Sequence, residues 1–409
     1  MAIASDDDPN ASPPAAEGLA PCPPGLPPRR RALRGFAALA AAAGLAPGTG
    51  HPRPAPVASE RAAFRVDTLA GGLEHPWSLA FLPGGRMLVT ERPGRLRLLD
   101  ASGRLDPRPI EGLPPVAAFG QGGLLDVLPH PAFADNGWIY LAMVTGPSGS
   151  VGTDLVRARL SGHRLVDLQT LFSMQPRSGR GLHFGGRLAF DRAGWIHLSL
   201  GDRGDMGRAQ RPDDDAGGVI RLHEDGRIPG DNPFVGRAGA RSGRLTLGNR
   251  NIQGLALHPR TGLLWMHEHG PQGGDEVNIV RAGRNYGWPI VTRGVNYVTG
   301  TRIGEAASRP DMEDPIHVWT PSIAPSGMAF CTGPAFPGWS GNLLVGALRG
   351  EALHRLELDG DRVVREERLL HRAVGRIRDV RVDREGLVYL LTDAADGRLL
   401  RLSPMSRSS

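Results

Sequence analysis

Short apolar segments separated by polar turns recur along the chain from about residue 61 onward. In each unit, an apolar segment is followed by a turn that contains Gly with Pro or Asp, and then by a second, more strongly apolar segment. Apolar runs this short, bounded by turn residues, are typical of β-strands rather than helices. The units span residues 79–89, 124–141, 188–198, 255–265, 328–345 and 380–390.

Repeated strand pairs at a spacing of roughly 40–70 residues predict an all-β, six-bladed β-propeller. One small sheet does not bury its own faces, whereas a ring of sheets does. A β-sandwich with insertions is the competing architecture, and the regularity of the repeat favours the propeller. Segments 64–69 and 398–402 are expected to share a blade and close the ring. The long connections 203–248 and 283–320 are expected to build a site on one face.

Composition agrees with many short strands and turns. The chain has 57 Gly and 36 Pro, and aromatic residues are only 5% of the total. The formal net charge is +6, and every Lys/Arg position is Arg, but the arginines are scattered among Asp and Glu. No basic helix and no basic run interleaved with aromatics is present, so we do not expect nucleic-acid binding.

The first sixty residues differ from the rest of the chain. Residues 1–28 are rich in Pro, Ala and Asp and are predicted to be disordered. Three arginines at 29–31 precede the apolar run 35–46, which is too short to span a bilayer. This arrangement resembles a twin-arginine signal, which exports folded proteins, and a chance leader is the alternative. Residues 47–60 are a Pro-rich linker, and 61–405 form the propeller domain, which is not transmembrane.

The chain has two cysteines, and only Cys331 lies outside the predicted leader, so no internal disulfide is expected. Cys331 follows an apolar segment and is predicted to be a small buried residue.

Polar residues stand directly before several of the repeated units. Since equivalent positions in successive blades open onto the same axial face, these residues are expected to converge. A ring of arginines and amides suits a polyanionic ligand, because Arg binds carboxylates with paired hydrogen bonds. Pairing of the arginines with Asp or Glu in blade turns is the alternative. The residues concerned are Gln121, His183, Arg250, Asn251, Arg376 and Arg378.

His183 is the candidate base. It is flanked by glycines at the entrance of a strand, and a near-neutral pKa suits imidazole for removing a hydroxyl proton. An ordinary loop histidine is the alternative reading. The nearby run 201–205, which includes Asp202, is expected only to shape a loop.

The run 267–276 has a different character. Glu268, Asp275 and Glu276 flank Gly/Pro-rich backbone, and carboxylate with carbonyl oxygens is the ligand set that Ca²⁺ prefers. His267 and His269 are expected to point to opposite faces, so we do not expect them to form a zinc pair.

Six strings in this order resemble the soluble pyrroloquinoline quinone (PQQ) dehydrogenases, the glucose/sorbosone dehydrogenase family, and among them the periplasmic aldose sugar dehydrogenases. The resemblance covers about residues 61–405. The strings are GQGGLLDV, HFGGRLAFD, GNRNIQGLALHP, HEHGPQGGDEVN, NYGWP and RIRDVRV.

The resemblance implies PQQ on the axial face of the ring, beside Ca²⁺. It implies that His183 takes the proton of the sugar C1 hydroxyl and that Arg250 stabilises negative charge on the reducing quinone. Carbonyls of Gly270 and Pro271 would bind the cofactor-side Ca²⁺, and Glu276 with the Tyr286 carbonyl a structural one. The residues implied to line the cofactor are Gln121, Arg250, Asn251, Tyr297, Arg349, Arg376 and Arg378.

Three positions depart from the family pattern. Leu182 replaces an Asp of the glucose-oxidising members, which removes a sugar hydroxyl contact and puts a preference for glucose in doubt. Arg349 stands where Lys is frequent, and Gln272 replaces a basic residue of close relatives.

We therefore expect a periplasmic oxidoreductase that converts aldoses to lactones with PQQ and Ca²⁺. It would pass electrons to a quinone, cytochrome or dye-like acceptor, as a monomer or homodimer. A Ca²⁺-dependent propeller lactonase and a non-catalytic binding propeller are the alternatives. The arginine-rich set weighs against the first, and the presence of His183 and Arg250 weighs against the second.

Overall fold

The computed structural model describes residues 56–405, and the predicted leader and export signal lie outside the described residues. Six antiparallel sheets form a closed ring, because the innermost strand of each sheet contacts those of the two neighbouring sheets, the last and the first included. The six-bladed β-propeller predicted from the repeat is confirmed.

Two blades have three strands, three have four, and the sixth has five. Blade 1 comprises β3 (Pro76–Phe81), β4 (Met87–Glu91) and β5 (Arg95–Leu99). Blade 2 comprises β6 (Leu124–Pro129), β7 (Trp138–Thr145), β8 (Gly152–Ser161) and β9 (Arg164–Ser173). Blade 3 comprises β10 (Leu188–Phe190), β11 (Ile196–Leu200) and β12 (Gly218–Leu222).

Blade 4 comprises β13 (Ile252–Leu257), β14 (Leu264–Glu268), β15 (Asp275–Ile279) and β16 (His317–Trp319). Blade 5 comprises β17 (Pro325–Phe330), β18 (Leu343–Ala347), β19 (Ala352–Asp359) and β20 (Arg362–Leu369). Blade 6 comprises β1 (Val57–Ala58), β2 (Ala63–Leu73), β21 (Ile377–Val382), β22 (Val388–Thr392) and β23 (Gly397–Pro404).

Each repeated unit of the sequence corresponds to the two inner strands of one blade. In blade 1, for example, Leu79 lies opposite Val89, and in blade 6 Val380 lies opposite Leu390. The long connections contain further strands, since β12 lies within 203–248 and β16 within 283–320.

The two ends of the described chain close the ring, as predicted. β2 pairs with β23, and Val66 lies opposite Leu402. The short strand β1, which falls in the predicted linker, extends the same sheet.

Helices are few and short. The described residues contain one short α-helix, α1 (Phe133–Asn136). They also contain three separate 3₁₀ turns, at Pro83–Gly85, Met206–Gln210 and Pro337–Trp339. No helix among residues 56–405 has the length and apolar character needed to cross a membrane.

Apolar residues fill the space between neighbouring blades. The cluster between blades 5 and 6 contains Phe64, Trp339 and Cys331. Cys331 is buried, as predicted, and burial raises the pKa of its thiol to about 12.

A buried ion network joins the inner strands near the axis. Arg187 Nη1 lies 2.9 Å from Asp379 Oδ1, and Arg381 Nη2 lies 2.8 Å from Asp126 Oδ1. Arg381 also donates to Asp379, at 2.8 Å. Since Asp126 belongs to blade 2, Arg187 leads into blade 3, and Asp379 and Arg381 belong to blade 6, the network fixes three blades relative to one another.

Candidate active site

His183 forms a pair with Asp202 on the axial face. His183 Nδ1 lies 2.6 Å from Asp202 Oδ1, and both side chains are buried. His183 precedes β10 and Asp202 follows β11, so the antiparallel pairing of these strands returns both residues to the same end of blade 3. A carboxylate at Nδ1 fixes the imidazole tautomer and makes Nε2 the proton acceptor.

Further contacts hold the Asp202 carboxylate in place. Its Oδ2 accepts a hydrogen bond of 2.8 Å from Trp288 Nε1, and its Oδ1 accepts one of 2.7 Å from Gly204 N. Burial alone would raise the pKa of Asp202, but the nearby charges of His183 and Arg250 outweigh it and lower that pKa. The carboxylate is therefore ionised and supports positive charge on the imidazole.

His183 opens into a cavity of about 370 Å³, which we call the histidine cavity. Its inner wall carries buried polar groups, and its more exposed outer wall mixes apolar with polar residues. The inner wall includes Gln121, His183, Asp202, Arg250, His269, Pro271 and Trp288. The outer wall includes Leu182, Met206, Asn296, Tyr297, Val298, Thr299, Thr301 and Ile303.

Arg250 lies at the inner wall of this cavity. Its guanidinium makes a long hydrogen bond of 3.5 Å to the His269 carbonyl and lies 5.6 Å from the centre of the Trp288 ring. Burial, with a smaller contribution from the charge of Arg250, lowers the pKa of His269 to about 3. Arg250 is thus a buried cation beside a neutral imidazole, suited to stabilise developing negative charge.

A second cavity, also of about 370 Å³, adjoins the first at Gln121, and we call it the arginine cavity. Predicted cofactor residues lie around it with several residues that the sequence did not indicate. The predicted ones are Gln121, Asn251, Arg376 and Arg378. The additional ones include His75, Trp77, Arg92, Gln253 and Asp393.

Asp393 bridges the two predicted arginines of this cavity. Its Oδ2 accepts hydrogen bonds of 2.9 Å from Arg376 Nη2 and 3.1 Å from Arg378 Nη2. Burial alone would raise the pKa of Asp393, but the charges of Arg378 and Arg376 prevail and bring it well below its usual range. Arg376 and Arg378 therefore pair with an Asp of a blade turn, which was the alternative to binding an anionic ligand.

Two other predicted cofactor residues, Tyr297 and Arg349, do not line the arginine cavity. Tyr297 lines the histidine cavity and is half-buried. Arg349 is exposed on the turn between β18 and β19 and lines neither the histidine nor the arginine cavity.

A small cavity of about 10 Å³ lies behind Arg250, and we call it the carboxylate cavity. Glu268 and Glu276 both line it, together with Tyr286, Gly270 and Thr292. Burial and the charge of Glu276 raise the pKa of Glu268, and burial likewise raises the pKa of Glu276. Two buried carboxylates around a space of about one water molecule form a donor set that a hard cation fits.

Among residues 56–405, no group of three or more His, Cys, Asp or Glu side chains is arranged to hold a metal ion. Asp275, which the sequence grouped with the two glutamates, has a different role. Its Oδ1 accepts from Gly270 N at 2.9 Å, and its Oδ2 accepts from Ile323 N at 2.7 Å and Ser322 Oγ at 2.8 Å. Asp275 thus fixes the 270–275 turn, while Pro271 of the same turn lines the histidine cavity.

His267 and His269 do diverge, but strand alternation is not the reason, because residues two apart in a regular strand share a face. His269 instead lies beyond the end of β14 (Leu264–Glu268). The His267 ring is completely buried, and its Nε2 would lie 2.2 Å from a Cβ on Gly254, so only Gly fits there. His269 faces the histidine cavity and its Nε2 lies 2.6 Å from the Pro325 carbonyl oxygen.

The sequence of this chain is similar to a known family of enzymes. The sequence profile of the Glucose / Sorbosone dehydrogenase family matches residues 73–401. Aldose sugar dehydrogenase YliI of Escherichia coli (strain K12) is 43% identical over 349 residues, which cover 84% of this chain and 94% of the relative.

Two solved structures extend the comparison. A crystal structure of a glucose dehydrogenase is 49% identical, with a TM-score of 0.80, and the match covers 82% of this chain and 98% of that one. The PQQ-bound aldose sugar dehydrogenase of Streptomyces coelicolor is 30% identical, with a TM-score of 0.69, and the match covers 86% and 100%.

Proposed function

This chain belongs to the glucose/sorbosone dehydrogenase family and is an oxidoreductase, and we propose that it oxidises the anomeric carbon of aldose sugars to lactones with PQQ. The observation that carries the proposal is the buried His183–Asp202 pair beside Arg250, at a cavity large enough for a sugar ring. The names of the relatives, and PQQ in one of them, support the same reaction.

His183 is the general base in this proposal. Nδ1 donates to Asp202, so Nε2 accepts the proton of the O1 hydroxyl while the C1–O1 bond becomes the lactone carbonyl. When bound, PQQ supplies the two-electron acceptor that takes the C1 hydride. The imidazolium that results is stabilised by the ionised Asp202 carboxylate.

Arg250 and the residues of the arginine cavity would hold the anionic groups of the cofactor. Arg376 and Arg378 would donate to its carboxylates, and Gln121 lies where the arginine and histidine cavities meet. Asn251 lines the arginine cavity, with its Oδ1 accepting from Gly185 N at 3.1 Å. Arg250 contributes its charge next to His183, where reduction of a quinone develops negative charge.

The outer wall of the histidine cavity bears on the choice of sugar. Leu182 stands directly before His183 and lines the cavity, so no carboxylate at this position contacts a sugar hydroxyl. Val298 and Ile303 of the same wall would offer apolar contact to the C–H faces of a sugar ring. We infer a broad acceptance of aldoses rather than a strict preference for glucose.

We also propose that the protein binds Ca²⁺ at two sites. Glu276, with Glu268 opposite and the Tyr286 carbonyl, would hold one ion at the carboxylate cavity, and the Gly270 and Pro271 carbonyls would hold another beside the cofactor. Buried carboxylates with raised pKa values are the local support for the first ion.

Export to the periplasm is a further part of the proposal. It rests on the arginines at 29–31 and the apolar run 35–46. Determination of the mature N-terminus after expression in a bacterium with a twin-arginine pathway tests it, and retention of the full leader in the cytoplasm would overturn it.

The test of the reaction is direct. Purified apoprotein with PQQ and Ca²⁺ should reduce an artificial dye in the presence of an aldose, and PQQ should change its absorbance spectrum on binding. Absence of both PQQ binding and PQQ-dependent turnover with any aldose overturns the proposal. Turnover of lactones without PQQ would favour the hydrolase alternative instead.

A further inference from the structure

The backbone of His183 adopts a left-handed conformation, with φ 49°. Residues other than Gly rarely adopt it, because Cβ crowds the adjacent carbonyl oxygen, and they remain in it only where surrounding contacts hold them. One such contact is the hydrogen bond of 2.9 Å from His183 N to Gln121 Oε1. The residues on both sides of His183 are held by a single side chain, that of Arg203.

Arg203 contacts the backbone or ring of three residues around His183. Its Nη1 donates to the Leu182 carbonyl at 2.7 Å, and its Nη2 donates to the Arg180 carbonyl. Its guanidinium carbon lies 3.4 Å from the centre of the Phe184 ring. The guanidinium therefore binds the residue before His183 by a hydrogen bond and contacts the ring of the residue after it.

The environment of Arg203 is unusual for a cation. The side chain is completely buried, and its hydrogen-bond acceptors are neutral carbonyls rather than carboxylates. Burial and the charge of Arg208 together lower the pKa of Arg203 to about 9, although Asp202 opposes the shift. An aliphatic side chain would fill this space with less desolvation, but it would not donate to two carbonyls.

Two further features hold the segment around His183 against the segment that contains Arg203. Arg180 Nη1 donates to the Gly204 carbonyl at 2.5 Å, so the segments 180–184 and 202–204 are tied in both directions. A Cβ at position 201 would lie 2.2 Å from the His183 carbonyl oxygen, so the close approach of the two segments requires Gly201.

We propose that Arg203 is a positioning residue for His183. Asp202 orients the imidazole ring, and the adjacent Arg203 fixes the backbone that carries it. The catalytic part of this inference rests on the proposed function, because it assumes that His183 is the base. A planar guanidinium is required, since Lys neither stacks on Phe184 in the same way nor donates to two carbonyls from a fixed plane.

Arg221 provides a matched control in the same blade. It too is buried, its guanidinium carbon lies 4.1 Å from the centre of the Trp195 ring, and it donates to Asn232 at 2.6 Å. It lines neither the histidine nor the arginine cavity. A general loss of packing in blade 3 would affect variants at both positions alike.

The first measurement compares Arg203→Met, Arg203→Lys and Arg221→Met in PQQ-dependent aldose oxidation. Both Arg203 variants should lose about 100-fold in kcat, as a misplaced catalytic group does. Their KM and their PQQ affinity, from absorbance titration, should change by less than about threefold. Arg221→Met should lower the melting temperature similarly but keep kcat within about threefold. Unchanged kcat at position 203, or an equal loss at position 221, overturns the proposal.

The second measurement needs neither PQQ nor turnover. The low-field proton resonance of His183 Nδ1–H in the apoprotein, identified by its loss in His183→Ala, should shift or broaden in Arg203→Met and persist in Arg221→Met. Should Arg203→Met fail to fold, Arg203→Gln keeps one N–H donor group and serves for the same comparison. If the resonance is unchanged, the positioning role is refuted. If wild type lacks PQQ-dependent turnover while the resonance shifts, only the proposed function fails.

Discussion

Asp202 Oδ1 lies 2.6 Å from His183 Nδ1, although the two residues are separated by a strand, a turn and a second strand. The carboxylate is buried and ionised, and the imidazole faces a cavity that also contains Arg250. An acceptor at Nδ1 decides which ring nitrogen removes a proton, so this contact links the fold of blade 3 to the chemistry.

Asp202→Asn should leave the pocket intact and remove the function of the pair. The amide does not stabilise an imidazolium, and its NH₂ group favours the wrong tautomer, so kcat should fall by about 10²–10⁴-fold. PQQ affinity, measured by absorbance titration, should remain within about threefold of wild type. A normal kcat in Asp202→Asn, or a loss confined to PQQ binding, would show that Asp202 has no part in proton removal.

Arg378→Gln and Asp393→Asn should change PQQ affinity in opposite directions. Loss of a buried charge-assisted donor should weaken binding by about 10–100-fold. Asp393→Asn should strengthen binding, because Asp393 competes with the cofactor carboxylates for both arginines of its pair. Titration of each apoprotein with PQQ decides this, with the exposed Asp361→Asn as control. Weaker binding in Asp393→Asn would show that Asp393 orients the arginines instead.

The ring and its closure were predictable from the sequence. Six strand–turn–strand units identified the inner strands of all six blades, and alternation along them decides which side chains enter the core. The segments before those strands were therefore assigned to one face. Gln121, His183 and Arg250 do line one cavity, and Asn251 with Arg376 and Arg378 lines the adjoining one.

Asp202 and Asp393 were not recognised as site residues, and the reason is geometric. Each follows the second strand of a blade, β11 or β22, and an antiparallel partner returns the chain to the face from which it came. Residues that follow the second strand of a blade therefore lie on the same face as residues that precede the first strand. The exposed position of Arg349 was not predictable, because a turn conformation decides where its long side chain lies.

Ca²⁺ should stabilise the apoprotein through the carboxylate cavity. A ligand that binds only the folded state raises stability by about 2.7 kcal/mol at 100 times its Kd. Thermal unfolding should therefore shift upward with Ca²⁺ in wild type and much less in Glu276→Gln, whereas the exposed Glu385→Gln should respond like wild type.

Without Ca²⁺, Glu276→Gln is expected to have the opposite effect on stability. Because burial raises the pKa of Glu276 and of Glu268, their ionisation opposes folding as the pH rises above the ordinary Glu value of about 4.3. In chelator at pH 8, Glu276→Gln should therefore be at least as stable as wild type. An equal Ca²⁺ response in both proteins would exclude the carboxylate cavity as the ion site.

Glu366 should make the contact between blades 4 and 5 sensitive to acid. Its carboxylate, in β20, lies 3.2 Å from His317 Nε2 and 2.5 Å from His354 Nδ1. It also accepts a hydrogen bond of 2.8 Å from Trp319 Nε1. Burial raises its pKa, but these hydrogen bonds prevail and lower it well below the usual value. A lowered acid pKa contributes stability that is present above about pH 4.3 and is lost as the pH falls through the folded-state pKa.

Glu366→Gln should consequently lose about 1–3 kcal/mol in the free energy of unfolding at pH 7, measured with urea, because it replaces charge-assisted bonds across the blade boundary. The difference from wild type should shrink progressively below about pH 4.3, because Glu366 of the unfolded wild-type chain takes up a proton there while folded Glu366 stays ionised. Glu111 provides the control, because its carboxylate is 70% exposed and lies 3.7 Å from Arg164. Glu111→Gln should match wild type at every pH. A difference that stays constant between pH 7 and pH 3 would assign the loss to packing, and would contradict a role for the Glu366 charge in joining the two blades.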